Sequence, residues 1–140
     1  MFQSSKLPLV TRSILYATVG VHLYVVLFLL NSGSAGWMSF YERFGLIPSA
    51  FLEGAFWQPL TSIFLHGVQG PMLLMHITFN MIGVVSIGVF LERAIGSLRF
   101  AFLYLVSGIA GGLAVVLMTP DLSQPTVGAS GALSGLIGAL

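Results

Sequence analysis

The sequence predicts an all-α polytopic membrane protein. Of its 140 residues, 56% are hydrophobic and only 6% are charged, and the mean hydropathy is +0.99. A soluble domain carries about 25% charged residues, so this composition suits a surface that faces lipid. Charge-free stretches recur along the chain, each near the ~20 residues that a helix needs to cross the hydrocarbon core. The predicted spans cover residues 14–30, 72–91, 100–118 and 128–140.

Polar connections separate these spans. A tail, residues 1–12, precedes the first span, and a long outer loop, residues 31–71, follows it and holds both tryptophans. "ERAIGSLR" (92–99) and "TPDLSQPTV" (119–127) form the other two connections. A signal peptide is the alternative for the first span, but its apolar run is longer than the usual ~7–15 residues. The fourth segment reaches across only about 20 Å of a ~30 Å core, so we expect it to be incomplete.

The positive charges predict a cytoplasmic N-terminus. Lys6 and Arg12 precede the first span, and Arg93 and Arg99 lie between the second and third. The outer loop has one arginine against two glutamates, and the last connection has only Asp121. Since positive residues mark the cytoplasmic side, the second and fourth spans are expected to enter the membrane from the outer side.

Composition also excludes several classes of function. A net charge of +1 provides no basic patch for nucleic acid. The absence of cysteine excludes disulfides and thiolate metal sites. A metal shared by His66 and His76 is poorly supported, because no H-E-x-x-H motif or carboxylate partner accompanies them. No acidic residue lies inside a predicted span, which excludes an aspartyl protease.

Three polar residues are expected near the outer face inside the spans. His76 and Asn80 are spaced i, i+4 on one helical face, and Ser130 begins the fourth segment. Because both segments enter from the outer side, the three residues are expected at similar depth. Polar side chains inside a span are costly and indicate a functional site. The alternative is that they only form hydrogen bonds between helices, worth about 0.6–2 kcal/mol.

Glycines provide a packing alternative for the same region. Small residues at i, i+4 let membrane helices approach closely. Such faces are predicted in the third span, at Gly108 and Gly112, and in the fourth, at Gly131, Gly135 and Gly138.

Ser130 is a candidate nucleophile, which requires a base and donors for the oxyanion. The G-x-S-x-G elbow of soluble hydrolases is absent, because an alanine occupies its last glycine position. Gly128 and Gly131 leave space for a substrate backbone and free N–H groups at a helix start. Asn80 is a candidate donor, and His76 is a candidate for either donor or base.

The order and spacing of four motifs resemble the rhomboid family of intramembrane serine proteases. The resemblance covers roughly residues 14–140. The motifs are "WQPLTSIFLH" (57–66), "HITFN" (76–80), "LERAIGS" (91–97) and "GASG" (128–131). It implies a rhomboid-like bundle of six helices, of which about four are represented, with residues 13–140 as the N-terminal part of the rhomboid domain.

The resemblance also implies roles for individual residues. Ser130 would be the nucleophile, with its own backbone N–H in the oxyanion hole. His76 and Asn80 would bind the oxyanion, which makes His76 a donor and not the base. Gly128 and Gly131 would line the site through their backbones. The family's base is a histidine on the sixth helix, which this chain lacks, so we expect the chain alone to be inactive.

Three further positions follow from the resemblance. Glu92 and Gly96 match a structural turn, and Trp57 matches an aromatic anchor of the outer loop. Gln58 departs from the Trp-Arg pattern of many rhomboids. We assign no catalytic role to His66, which is separated from the second span by "GVQGP", and we expect a structural role for it and for His22.

The implied activity is hydrolysis of peptide bonds in or near transmembrane helices of client membrane proteins, with no metal or organic cofactor. Its implied partners are those transmembrane segments and the lipid bilayer, in a bacterial-type inner membrane with the site open to the outer side. One alternative is a non-catalytic rhomboid-like protein that binds client helices. Another is a small membrane scaffold or transport subunit in which His76 and Asn80 only join helices.

Overall fold

The computed structural model describes residues 6–29, 31 and 33–140. The described elements are α1 (Leu9–Tyr24), a π-helical turn (Val25–Leu29), α2 (Ser34–Phe44), α3 (Pro48–Leu52), α4 (Gln58–Thr61), a 3-10 turn (Ser62–Phe64), α5 (Met72–Ile95), α6 (Ser97–Met118) and α7 (Ser130–Gly138). Within these described residues, three helical segments are long and apolar enough to cross a membrane, namely Leu9–Phe28, Leu73–Ile95 and Ser97–Met118. This confirms the predicted all-α membrane class. Residues 1–5 of the predicted tail, residue 30 of the predicted first span and residue 32 of the loop lie outside the described residues.

The carboxylate of Glu92 joins three helices at one end of the bundle. It accepts hydrogen bonds from the backbone N–H groups of Val10 (2.9 Å) and Thr11 (2.7 Å) and from the Thr11 hydroxyl (2.8 Å). These N–H groups lie in the first turn of α1, where no intrahelical partner exists. The hydroxyl of Ser97, at the start of α6, also donates to this carboxylate (2.6 Å). The connection predicted between the second and third spans covers residues 92–99, but in the structure it is the single residue Gly96, whose φ is +87°.

Glycines bring α6 and α7 into close contact. A Cβ atom on Gly111 would lie 3.0 Å from the Cα of Gly131, and one on Gly135 would overlap the side chain of Ser107. The predicted glycine faces are therefore only partly correct. Gly112 packs against the outer loop instead of α7, and Gly138 lies in open space.

The outer loop is anchored by side chains that bond to its own backbone. Gln58 is fully buried; its amide donates to the carbonyl of Glu42 (3.0 Å), and its Oε1 accepts from the N–H of Ile47 (3.0 Å). Trp57 donates from Nε1 to the carbonyl of Arg43 (2.9 Å). The departure at Gln58 therefore preserves a polar anchor, because its amide can both donate and accept.

A short backbone bridge ties this loop to the segment that precedes α7. The N–H of Leu46 donates to the carbonyl of Thr126 (2.9 Å), and the N–H of Thr126 donates back (2.8 Å). This pair of bonds fixes where the chain turns into α7.

Candidate active site

Ser130 is the first residue of α7, and it is exposed. It borders a cavity of about 100 Å³. The lining is mostly of small residues and includes Ser62, Gly108, Gly111, Gly128 and Gly131. A serine hydroxyl beside such a cavity can reach the backbone of a bound peptide.

The turn that leads into Ser130 is fixed by Gly128. Its φ is +122°, a conformation that L side chains rarely adopt. Its N–H donates to the carbonyl of Ser62 (3.0 Å). Gly131 follows one residue after Ser130 and packs against Gly111 of α6.

The imidazole of His76 faces this turn. A Cβ atom placed on Gly128 would lie 2.8 Å from Nε2 of His76 and 3.1 Å from its Cε1. On the other edge of the ring, the N–H of Gly67 donates to Nδ1 (3.1 Å). A nitrogen that accepts a hydrogen bond carries no proton, so the proton of the ring sits on Nε2. His76 therefore directs an N–H at the segment that contains Ser130.

Asn80 lies one turn further along α5 and is 6% exposed. Its Nδ2 donates to the carbonyl of His76 (2.9 Å), and its buried Oδ1 has no hydrogen-bond partner among the residues that the structure describes. Further along α5, Gly83 packs against Leu133 of α7, because a Cβ there would lie 3.0 Å from Leu133 Cδ1. Asn80 therefore lies between the contact of α5 with Gly128 and its contact with Leu133. Its amide nitrogen is hydrogen-bonded to a carbonyl of α5 itself.

His66 lies beside His76, a pair that the sequence analysis considered only as metal ligands. The two ring centroids are 4.9 Å apart, and His66 is 1% exposed. Burial, and then the neighbouring His76, lower the pKa of His66 to about 4, and the Phe64 carbonyl only partly offsets this effect. The hydroxyl of Tyr41 donates to the His66 backbone carbonyl. The only signal in the sequence was the position of His66 at the end of the "WQPLTSIFLH" motif.

The third histidine joins two helices away from Ser130. Nε2 of His22 lies 2.7 Å from the carbonyl of Leu73, which connects α1 to the start of α5. Across residues 6–29, 31 and 33–140, no group of three His, Cys, Asp or Glu residues comes together as a metal site.

These elements define a multi-pass membrane protein in which an exposed serine begins a helix beside a histidine N–H. A family model described as the Rhomboid domain matches residues 53–140. The chain belongs to the rhomboid family.

Several curated proteins are similar to this chain. Rhomboid protease GluP of Bacillus subtilis is 39% identical over 92 residues, which cover 66% of this chain and 17% of GluP. RHOMBOID-like protein 5 of Arabidopsis thaliana is 40% identical over 88 residues, which cover 63% and 27%. Inactive RHOMBOID-like protein 8 of the same plant is 36% identical over 84 residues, which cover 60% and 22%. The matched part of this chain thus spans less than a third of the length of each of these three relatives.

Proposed function

We propose that this chain supplies the nucleophile and the oxyanion-binding groups of an intramembrane serine endopeptidase. The enzyme would hydrolyse peptide bonds in or near transmembrane helices of client membrane proteins. One observation carries the proposal: Nε2 of His76 faces Gly128, two residues before the exposed Ser130 at the start of α7.

In the proposed reaction, Oγ of Ser130 attacks the carbonyl carbon of the scissile bond. A new C–O bond forms, and the carbonyl oxygen becomes an oxyanion while the Ser130 proton passes to a general base. The N–H of Ser130 is a donor for that oxyanion, because N–H groups in the first turn of a helix have no partner within it. Nε2–H of His76 is a second donor. Each such donor contributes about 10²–10³-fold in kcat.

Asn80 is the third proposed donor. One N–H of its amide bonds to the His76 carbonyl, and an amide nitrogen has a second N–H to offer. Its buried Oδ1 has no partner within the described part of the chain, which costs stability and is expected where function, and not stability, dictates the residue.

The general base is not among the histidines of this chain in our proposal. The acceptor nitrogen of His76 is already engaged by Gly67, and Nε2 of His22 is held at the carbonyl of Leu73. His66 is buried, and its low pKa makes it a weak base. We infer that the base comes from outside the described residues. Without that base, we expect this chain alone to hydrolyse peptide bonds several orders of magnitude more slowly.

We further propose the arrangement in the membrane that the charges predict. Residues 1–12 form a cytoplasmic tail, residues 13–140 form the N-terminal part of a rhomboid domain, and the site opens to the opposite side of a bacterial-type inner membrane. A client helix must unwind locally to present a carbonyl to Ser130, which favours clients with small, helix-breaking residues near the cleavage site.

A non-catalytic protein that binds client transmembrane helices is the second candidate. One of the similar proteins is named inactive, and its identity to this chain, 36% over 84 residues, is close to that of the protease GluP. Overall sequence identity therefore does not distinguish a protease from a non-catalytic binding protein. The reactivity of Ser130 distinguishes them.

A fluorophosphonate probe tests the proposal on the full-length protein in its membrane. We expect covalent labelling of the wild type and none of Ser130→Ala. Ser134→Ala is the matched control, because Ser134 lies one turn deeper in α7 and its hydroxyl only donates to the Ser130 carbonyl (2.9 Å). Labelling should survive in this control. A wild type that takes no label, or label that persists in Ser130→Ala, rejects the proposal.

A further inference from the structure

A single peptide group connects the outer loop to the imidazole of His76. It is the peptide between His66 and Gly67, and it is hydrogen-bonded on both sides. Its carbonyl accepts from the hydroxyl of Tyr41, and its N–H donates to Nδ1 of His76 (3.1 Å). A tyrosine on α2 is thereby linked to a histidine on α5 through one amide.

The two hydrogen bonds of this amide strengthen each other. A donor at the carbonyl oxygen draws electron density from the amide nitrogen and makes its N–H a stronger donor; such chains strengthen each bond by roughly 10–30%. The effect is largest where water is excluded, and Tyr41 is only 7% exposed.

Tyr41 is well suited to act as a permanent donor. Burial raises its pKa to about 12, so the hydroxyl keeps its proton at any physiological pH. Its ring is held edge-on by Trp37, with centroids 5.9 Å apart, and by Phe40 at 6.2 Å. The hydroxyl oxygen therefore has a fixed position.

The donor at Nδ1 decides which nitrogen of His76 carries the proton. If the proton moved from Nε2 to Nδ1, the N–H of Gly67 would lose its acceptor and face another N–H. This bond is part-buried, and a donor left unsatisfied there is costly, so the amide favours the form with the proton on Nε2. That nitrogen is the one that faces Gly128.

We propose that Tyr41 is a positioning residue that holds His76, through the His66–Gly67 peptide, in the tautomer whose Nε2–H points at the serine segment. This inference rests on the proposed function, because the tautomer with the proton on Nε2 is the one that can donate a hydrogen bond to an oxyanion. The tautomer itself can be measured without any proteolysis.

The test is nitrogen NMR on the detergent-solubilised protein labelled with ¹⁵N-histidine. Protonated and unprotonated ring nitrogens differ widely in chemical shift, and the loss of one signal set in His76→Asn assigns His76. We expect Nδ1 of wild-type His76 to be unprotonated and hydrogen-bonded. In Tyr41→Phe we expect the ratio of the two tautomers to move toward protonated Nδ1 by about two- to tenfold, the range expected for weakening one hydrogen bond.

Two further variants keep the result interpretable. Tyr16→Phe is the matched control, because Tyr16 is an exposed tyrosine on α1, and its spectrum should equal that of the wild type. Difluorotyrosine at position 41 keeps the ring and its hydroxyl and donates more strongly, so it should shift the His76 Nδ1 signal in the direction opposite to Tyr41→Phe. Unchanged His76 signals in both position-41 variants would overturn the inference.

Fluorophosphonate labelling of the same variants in the full-length protein separates this inference from the proposed function. We expect Ser130 to react several-fold more slowly in Tyr41→Phe than in Tyr16→Phe. A wild type without label rejects the protease, while the tautomer ratio still decides the role of Tyr41. Normal labelling together with an unchanged tautomer ratio rejects only the role of Tyr41.

Discussion

Nε2 of His76 lies so close to the backbone of Gly128 that a Cβ atom on residue 128 would be 2.8 Å away from it. Real Cβ atoms essentially never approach another heavy atom that closely. The φ of +122° at Gly128 excludes an ordinary side chain independently. Position 128 therefore requires glycine for two reasons, and both concern the turn that presents Ser130.

Gly128→Ala should abolish most of the reactivity of Ser130. The new methyl group must push the His76 ring away or distort the turn, and a displacement of about 1 Å at a reacting group can cost about 100-fold in rate. The rate of fluorophosphonate labelling of the full-length protein measures this effect. Gly138→Ala is the control, because Gly138 is in the same segment and a Cβ there meets nothing within 4 Å. Equal labelling rates for both variants would show that the contact with His76 is not needed.

Gly135→Ala should destabilise the contact between α6 and α7. The added Cβ would overlap the Ser107 side chain, and overpacking of this kind costs roughly 1–3 kcal/mol. Thermal unfolding in detergent should show a lower Tm for this variant. Ser107→Gly in the same chain removes the overlapping atoms and should restore most of the loss, a coupling that a double-mutant cycle measures. If the two changes were simply additive, the packing described for these helices would be incorrect.

Glu92→Gln should destabilise the bundle at the end where α1, α5 and α6 meet. The carboxylate accepts four hydrogen bonds, from Val10, twice from Thr11 and from Ser97. An amide keeps one acceptor oxygen but turns the other position into a donor, so we expect a loss of about 1–3 kcal/mol in the free energy of unfolding. Glu53→Gln, at an exposed glutamate, should change the free energy by less than about 0.5 kcal/mol. Equal losses in both variants would contradict the role of Glu92.

The buried His66 should make the protein less stable in mild acid. Its pKa in the folded state is about 4, below the ~6.5 of an unfolded chain. The unfolded state therefore binds a proton first as the pH falls, and stability decreases from about pH 6.5 to about pH 4 by up to about 3 kcal/mol. Denaturation curves of the wild type and of His66→Phe across this range measure the effect. The variant should show a shallower dependence on pH, and an identical dependence in both proteins would contradict it.

Much of the fold follows from local sequence patterns. The charge-free stretches predicted the membrane helices, because a lipid-facing helix needs apolar side chains on all exposed faces. Their precise ends did not follow. α1 begins at Leu9, before the charge-free stretch, because the carboxylate of Glu92 caps its first turn, and that contact joins residues 81 positions apart.

The candidate site could be predicted in part. The positive charges of the connections and the order of the spans predicted that His76 and Ser130 would lie at similar depth near the outer face. The structure places His76 against the turn before Ser130. The partners on the other edge of the ring could not be predicted. The loop segment "GVQGP" turns so that His66 and Gly67 lie beside His76. A loop has no periodic pattern from which this turn could be predicted. The two hydrogen-bond partners of Gln58 could not be predicted for the same reason, because both are backbone groups of the loop.

Cleavage of a client transmembrane segment in proteoliposomes is the most direct test of Ser130 as a protease nucleophile. The full-length wild type, Ser130→Ala and Ser134→Ala should be reconstituted at equal density with a substrate whose transmembrane helix contains small, helix-breaking residues. We expect the wild type and Ser134→Ala to cleave at similar rates and Ser130→Ala to be slower by at least about 10³-fold. Cleavage by Ser130→Ala at the wild-type rate would contradict the proposed site.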